Sequence, residues 1–191
     1  LAYWRDQLQD LEPVTFTPDH LRPRQQSFRG ARLHRRFDPA LVHALREVGA
    51  TVDATLAMVL LTALNILLHR HTDATDIGIG VPIANRHHPG AEHVVGTLLN
   101  TLVLRTDLEG DPQFRKFLAQ VRDNSLAAYE HQDMPFERLV QALQLQRDPS
   151  RAPLFGVMFN MLNTPLGKLE FNGLEWSRFE LDRHAAQFDL T

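Results

Sequence analysis

Apolar positions along the chain switch between a spacing of three to four residues and a spacing of two, so the pattern predicts alternating helices and strands. Asp38-Pro39 reads as an N-cap with proline in the first helical position, and Leu41, Val42, Leu45 and Val48 then recur on one face until Gly49 ends the helix. Asp53 is placed to cap the next helix, where Leu56, Val59, Leu60, Ala63, Leu64, Leu67 and Leu68 make an apolar surface too wide for a one-sided surface helix. Ile77, Ile79 and Val81 alternate with Gly78 and Gly80, a strand whose glycine face permits close approach, and Pro82 is expected to end it. Residues from Ala84 to His93, rich in His, Pro and Gly, read as a loop, and Gly96 to Arg105 as a long strand. Asp111-Pro112 repeats the cap-and-proline start for a helix reaching about Tyr129, with Phe114, Phe117, Leu118, Val121 and Leu126 as its core face. Pro135 opens a short helix carrying Phe136, Leu139, Val140 and Leu143. A strand through Phe155, Val157, Phe159 and Met161 follows, then a hairpin from Lys168 to Leu181 turning at Asn172-Gly173.

Composition narrows the setting. The 191 residues suit one domain or one half of a two-lobed enzyme. No cysteine is present, so no disulfide framework exists, as fits a reducing cytoplasm. A net charge of −3 with scattered Lys and Arg offers no single-sign field for a nucleic-acid backbone. The longest apolar run, Ala54 to Leu68, is interrupted by Thr62 and Asn65 and is shorter than the roughly twenty residues a bilayer span needs; it reads as a core helix. The chain opens at Leu1 with neither a methionine nor a charged-then-apolar leader, and the expectation is a segment of a longer protein.

Three segments carry the chemistry: Val95-Gly96-Thr97-Leu98-Leu99-Asn100-Thr101, then His131-Gln132-Asp133-Met134-Pro135-Phe136-Glu137, then Arg147-Asp148-Pro149-Ser150-Arg151-Ala152-Pro153-Leu154. In that order, with Tyr3-Trp4 near the start and Phe188-Asp189-Leu190-Thr191 at the end, they resemble the C-terminal half of nonribosomal peptide synthetase condensation domains, over essentially the whole chain. The resemblance implies an α/β, chloramphenicol-acetyltransferase-like lobe, a mixed β-sheet packed with α-helices, with residues 1–191 as a partial C-terminal lobe and the N-terminal catalytic lobe absent. In the family that other lobe carries two histidines, three free residues, then Asp-Gly. This signature occurs nowhere in the chain, so no catalytic residue is assigned to it. The lobes of such a domain form a V around a tunnel, where an acceptor amine attacks a donor thioester, both carried on phosphopantetheine arms of peptidyl carrier proteins.

By the same resemblance, Arg86 to Val95 corresponds to a floor loop and Leu162 to Ala186 to a latch crossing onto the other lobe. Partners are then the N-terminal lobe, donor and acceptor carrier proteins and adjacent synthetase domains, with no cofactor bound directly. An isolated lobe is expected to self-associate. Phe159-Asn160-Met161-Leu162-Asn163 and Asn100-Thr101 look like peptide-bond-forming rather than epimerising members. Thr97-Leu98-Leu99 departs from the Phe-Val common before Asn-Thr, and Ala152 stands where Asn is common. An alternative is a non-catalytic module of the same fold that docks carrier proteins or another subunit.

Each residue also has a plainer reading. Asn100 and Asn160 are the tunnel-facing candidates, and a satisfied core asparagine is as good an account of Asn100. His131 and Asp133, with Gln132, Pro135, Phe136 and Glu137, read as structural, the Asp capping a helix start. Arg147, Asp148, Ser150 and Arg151 read as a charge-assisted cluster ordering the connection, and Trp176 as a packing anchor. His87-His88-Pro89-Gly90-Ala91-Glu92-His93 imitates the catalytic signature but has His93 where glycine belongs, so the pair reads as a solvated turn. A metal set built from His87, His88, His93, His69 and His71 finds no cysteine and no HExxH-type pairing of histidines one helical turn apart to support it.

Overall fold

A computed structural model describes residues 1–145, 148–162, 181 and 184–191. The elements are α1 (Ala2–Leu8), α2 (Pro39–Ala50), α3 (Leu56–Thr72), β1 (Asp76–Ile83), a short 3₁₀ turn (Ala91–His93), β2 (Asn100–Asp107), α4 (Phe114–Glu130) and α5 (Phe136–Ala142). β1 and β2 pair antiparallel from Asp76↔Asp107 to Ile83↔Asn100. On the other edge of β1, Gly80 bridges Met158 in parallel and Val157 bridges Leu190 in parallel. Among the described residues the sheet is thus two-stranded and antiparallel, and the parallel component of the expected mixed sheet is limited to these isolated bridges. Helix α4 packs on α3 and β2, α2 on α3, and α5 on β2.

The glycines of β1 explain its second face. A Cβ on Gly80 would overlap the Phe155 ring, and one on Gly78 would stand 2.7 Å from a Leu11 methyl. Opposite them Ile77 and Ile79 are fully buried with Leu102, Leu104, Leu68, Phe117 and Val121 in the main core. Helix α3 is a core helix in which the two polar interruptions are buried and satisfied. Thr62 Oγ1 donates to Met58 O at 2.7 Å, and Asn65 donates to Leu61 O while accepting from Thr106 Oγ1 at 2.8 Å. No helix among the described residues is long and apolar enough to cross a membrane.

Several boundaries differ from the sequence pattern, each for a visible reason. Asp38 does cap α2, accepting from Ala40 N at 2.8 Å, but Asp53 does not cap α3. Its backbone is left-handed (φ 54°), and Thr55 takes the role, with Oγ1 accepting from Met58 N at 3.3 Å. Asp111 is likewise left-handed at φ 47°; α4 begins after Gln113 with no side-chain cap. The buried face of α4 is Phe117, Leu118, Val121, Ser125 and Ala128, whereas Phe114 and Leu126 at its margins are 39% and 48% exposed.

Pro82 lies inside β1 rather than ending it. The N–H and C=O of Gly80 both turn away from β2, donating to Val157 O and accepting from Phe159 N. Two residues on, Pro82 faces the same way, so its missing N–H removes no bond between β1 and β2. β2 starts at Asn100, not Gly96, because its partner runs out at Ile83 and Gly96 O is engaged by Arg86. The segment Phe155 to Met161 makes bridges only at Val157 and Met158. The expected hairpin from Lys168, its Asn172-Gly173 turn and Trp176 lie outside the described residues; Leu181 at its end is exposed.

Candidate functional site at the bend between α4 and α5

The His131 to Glu137 segment forms the bend between α4 and α5, and Asn100, the first residue of β2, holds it. Asn100 is 8% exposed. Its Nδ2 donates to Gln132 O at 2.9 Å and Met134 O at 2.8 Å, while its Oδ1 accepts from Thr101 N at 2.9 Å and Phe136 N at 3.0 Å. All four hydrogen-bonding positions of the amide are filled. One of them is the first N–H of α5, an orphan that a cap normally serves. A strand residue 36 positions upstream thus caps this helix.

That arrangement corrects the expected role of Asp133. The N-cap position of α5 is Pro135, with no side-chain cap, and the carboxylate of Asp133 turns instead to the 84–93 loop. His87 Nε2 lies 2.9 Å and His88 Nε2 3.2 Å from the same Asp133 oxygen. The histidine pair is exposed as expected but not simply solvated. Both halves of the contact are held from behind: Arg86 donates to Ala91 O, Val94 O and Gly96 O at 2.6, 2.8 and 2.9 Å, wrapping the loop around its guanidinium. Sequence reasoning weighs these histidines against one another and misses the acid 45 positions away; no periodicity links the two segments.

His131 closes α4. Its Nδ1 donates to Ala127 O at 2.9 Å, its carbonyl accepts from buried Trp4 Nε1 at 3.0 Å, and Tyr3 stacks on its ring with centroids 4.0 Å apart. Burial, then the charge of Glu130, pushes the Tyr3 phenol above its ordinary range. Phe136 is half-buried, its ring tilted against Phe155 with centroids 5.7 Å apart. Glu137 is exposed in the first turn of α5, where a negative charge suits the helix dipole. Asn160 is exposed and follows Phe159, whose N–H donates to Gly80 O of β1.

Arg147 lies outside the described residues. The rest of its cluster forms a closed turn: Asp148 Oδ1 accepts from Ser150 N at 2.8 Å and Asp148 Oδ2 sits 3.1 Å from Arg151 Nε. Hydrogen bonds from Ser150, with the charges of Arg151 and Arg22, hold the Asp148 carboxyl below the ordinary Asp range. Arg22 is a member that the motif does not contain. It donates to Ser150 O at 3.2 Å and to Asp189 Oδ2 at 2.5 Å, joining the N-terminal segment, this turn and the C-terminal end of the chain.

An antiparallel strand pair backed by helices, with a buried asparagine fastening the α4–α5 bend to the start of β2, defines an α/β fold. The chain belongs to the condensation domain family, whose model matches residues 1–191. It is 40% identical over 192 residues to gramicidin S synthase 2 of Brevibacillus brevis, covering 99% of this chain and 4% of that synthase. Among solved structures it is similar to a four-domain nonribosomal peptide synthetase bound to AMP and glycine (TM-score 0.82, 25% identity, 86% of this chain and 13% of that one). It is also similar to the X-domain in complex with OxyB from teicoplanin biosynthesis (TM-score 0.77, 30% identity, 82% of this chain and 35% of that one). The chain thus spans a small part of the relatives it matches.

Proposed function

We propose that the chain is the C-terminal lobe of a condensation domain that joins two carrier-bound aminoacyl or peptidyl thioesters through an amide bond, and that it builds one wall of the tunnel without supplying the catalytic base. The reaction needs an amine held in line with a thioester carbonyl, a proton acceptor, and donors for the developing oxyanion. Those groups belong to an N-terminal lobe carrying the His-His-x-x-x-Asp-Gly signature. Within this lobe, the loop from Arg86 to Val95 is the floor and the segment from Leu162 to Ala186 the latch. The observation that carries the reading is the Asn100 lock: an amide with every hydrogen-bonding position filled by backbone has none left for substrate. Asn100 therefore sets the shape of the wall, and Asn160, exposed on the segment that pairs with Gly80, is the residue of the two free to meet a phosphopantetheine arm. The working partners are donor and acceptor peptidyl carrier proteins and adjacent synthetase domains, in the cytoplasm.

The test is a condensation assay with loaded donor and acceptor carriers. The chain alone is expected to give the uncatalysed rate, and the chain combined with an N-terminal lobe to give dipeptide. Turnover by the chain alone that disappears in His87→Ala or His88→Ala would overturn this assignment and make the histidine pair catalytic. A second reading, a docking module with no chemistry, is favoured by the likeness to the X-domain found in complex with OxyB. It predicts carrier or partner-protein binding with no dipeptide even when an N-terminal lobe is supplied.

A further inference from the structure

Two imidazoles and a carboxylate meet at the junction of the floor loop and the α4–α5 bend. His87 Nε2 and His88 Nε2 stand 2.9 and 3.2 Å from one oxygen of Asp133, and the three ligand atoms lie within 4.8 Å of one another. Tetrahedral zinc binds imidazole nitrogen and carboxylate oxygen at about 2.0 to 2.2 Å, so its ligand atoms are separated by roughly 3.3 Å. The two nitrogen–oxygen separations are already close to that edge. We propose that His87, His88 and Asp133 form a surface site for one divalent cation of the zinc class, which clips the 84–93 loop to the bend.

Three features support the proposal. The donor set is chemically selective: two neutral imidazoles with one carboxylate suit zinc and its late first-row neighbours, whereas magnesium and calcium prefer oxygen ligands and water. The site is preorganised, since Arg86 fixes the loop through three carbonyls and Asn100 fixes the bend through two. The side chains are also accessible, 35%, 64% and 68% exposed for His87, His88 and Asp133, so a cation enters without unfolding anything and water completes its shell. The cation takes the place of the imidazole protons that otherwise face the Asp133 oxygen.

Calorimetric titration of the 191-residue chain with zinc chloride tests the site, with magnesium chloride as counter-probe. The expected result is one saturable zinc site of micromolar affinity, no magnesium binding, and an affinity weakened by about tenfold or more when a ligand is lost in His88→Gln, in His87→Ala/His88→Ala, or in Asp133→Asn. Because the chain holds ten histidines, His43→Ala serves as control; His43 is exposed on α2, 3.4 Å from Glu47, and its loss should change nothing. All the substituted side chains are exposed, and circular dichroism identical to the parent confirms the fold. The proposal is overturned if zinc fails to saturate the chain at sub-millimolar concentration. It is equally overturned if the double histidine variant binds as tightly as the parent, which would assign the zinc to other histidines.

Discussion

Asn100 shows how much one side chain can be asked to do. Removing its amide leaves Gln132 O, Met134 O and Phe136 N without a partner at once, and a buried polar group left unsatisfied costs about 1 to 3 kcal/mol. Asn100→Ala should therefore lower stability by about 2 to 3 kcal/mol, with water recovering part of the loss. Urea denaturation measures this directly, and an unchanged midpoint would mean that the bend holds itself. The sequence marks Asn100 as a polar residue on an apolar strand, and it cannot choose between tunnel and core. That choice depends on contacts across 32 to 36 positions, which no local pattern encodes. Arg22 escapes sequence reasoning for the same reason: its partners Ser150 and Asp189 are 128 and 167 positions away.

At the level of elements, the start of α3 offers a clean comparison between two neighbouring candidates. Thr55 caps the helix and Asp53 does not, and loss of a capping hydroxyl costs about 1 kcal/mol. Thr55→Ala is expected to lower the melting temperature measurably while Asp53→Gly, which removes the carboxylate and suits the left-handed backbone at φ 54°, does not lower it; the reverse order would restore the sequence-based assignment. The elements themselves are legible because periodicity is strong where one face is buried, as in α4, whose buried residues are Phe117, Leu118, Val121, Ser125 and Ala128. Their ends are less so. Asp53 and Asp111 are both good capping types, yet each is spent on a left-handed turn, a use that aspartate also tolerates. Pro82 reads as a terminator because the pattern does not say which edge of the strand its ring faces.

For the whole molecule, the question is what covers the apolar groups left in water. Leu33, Phe37 and Leu41 are 78%, 58% and 47% exposed along one stretch of sequence, and Val95 and Leu99 are 100% and 67% exposed just before β2. Apolar area in water costs roughly 25 cal/mol per Å². The isolated chain is expected to self-associate at micromolar concentration and to exchange that contact for an N-terminal lobe when one is added. Light scattering with and without the lobe checks this, and a monomer indifferent to the lobe would show that the exposed groups are no interface.

The bond from Trp4 to the carbonyl of His131 bears on how the lobe comes into being. Trp4 is made 127 residues before the group that receives its indole N–H. At ribosomal rates of about 5 to 20 residues per second that interval is roughly 6 to 25 s. For that time Trp4, 2% exposed in the finished fold, has no bend to settle against. The first helix is thus held in waiting during synthesis, open to chaperones and proteases, and closes the structure from its beginning only after the sequence past the middle has emerged.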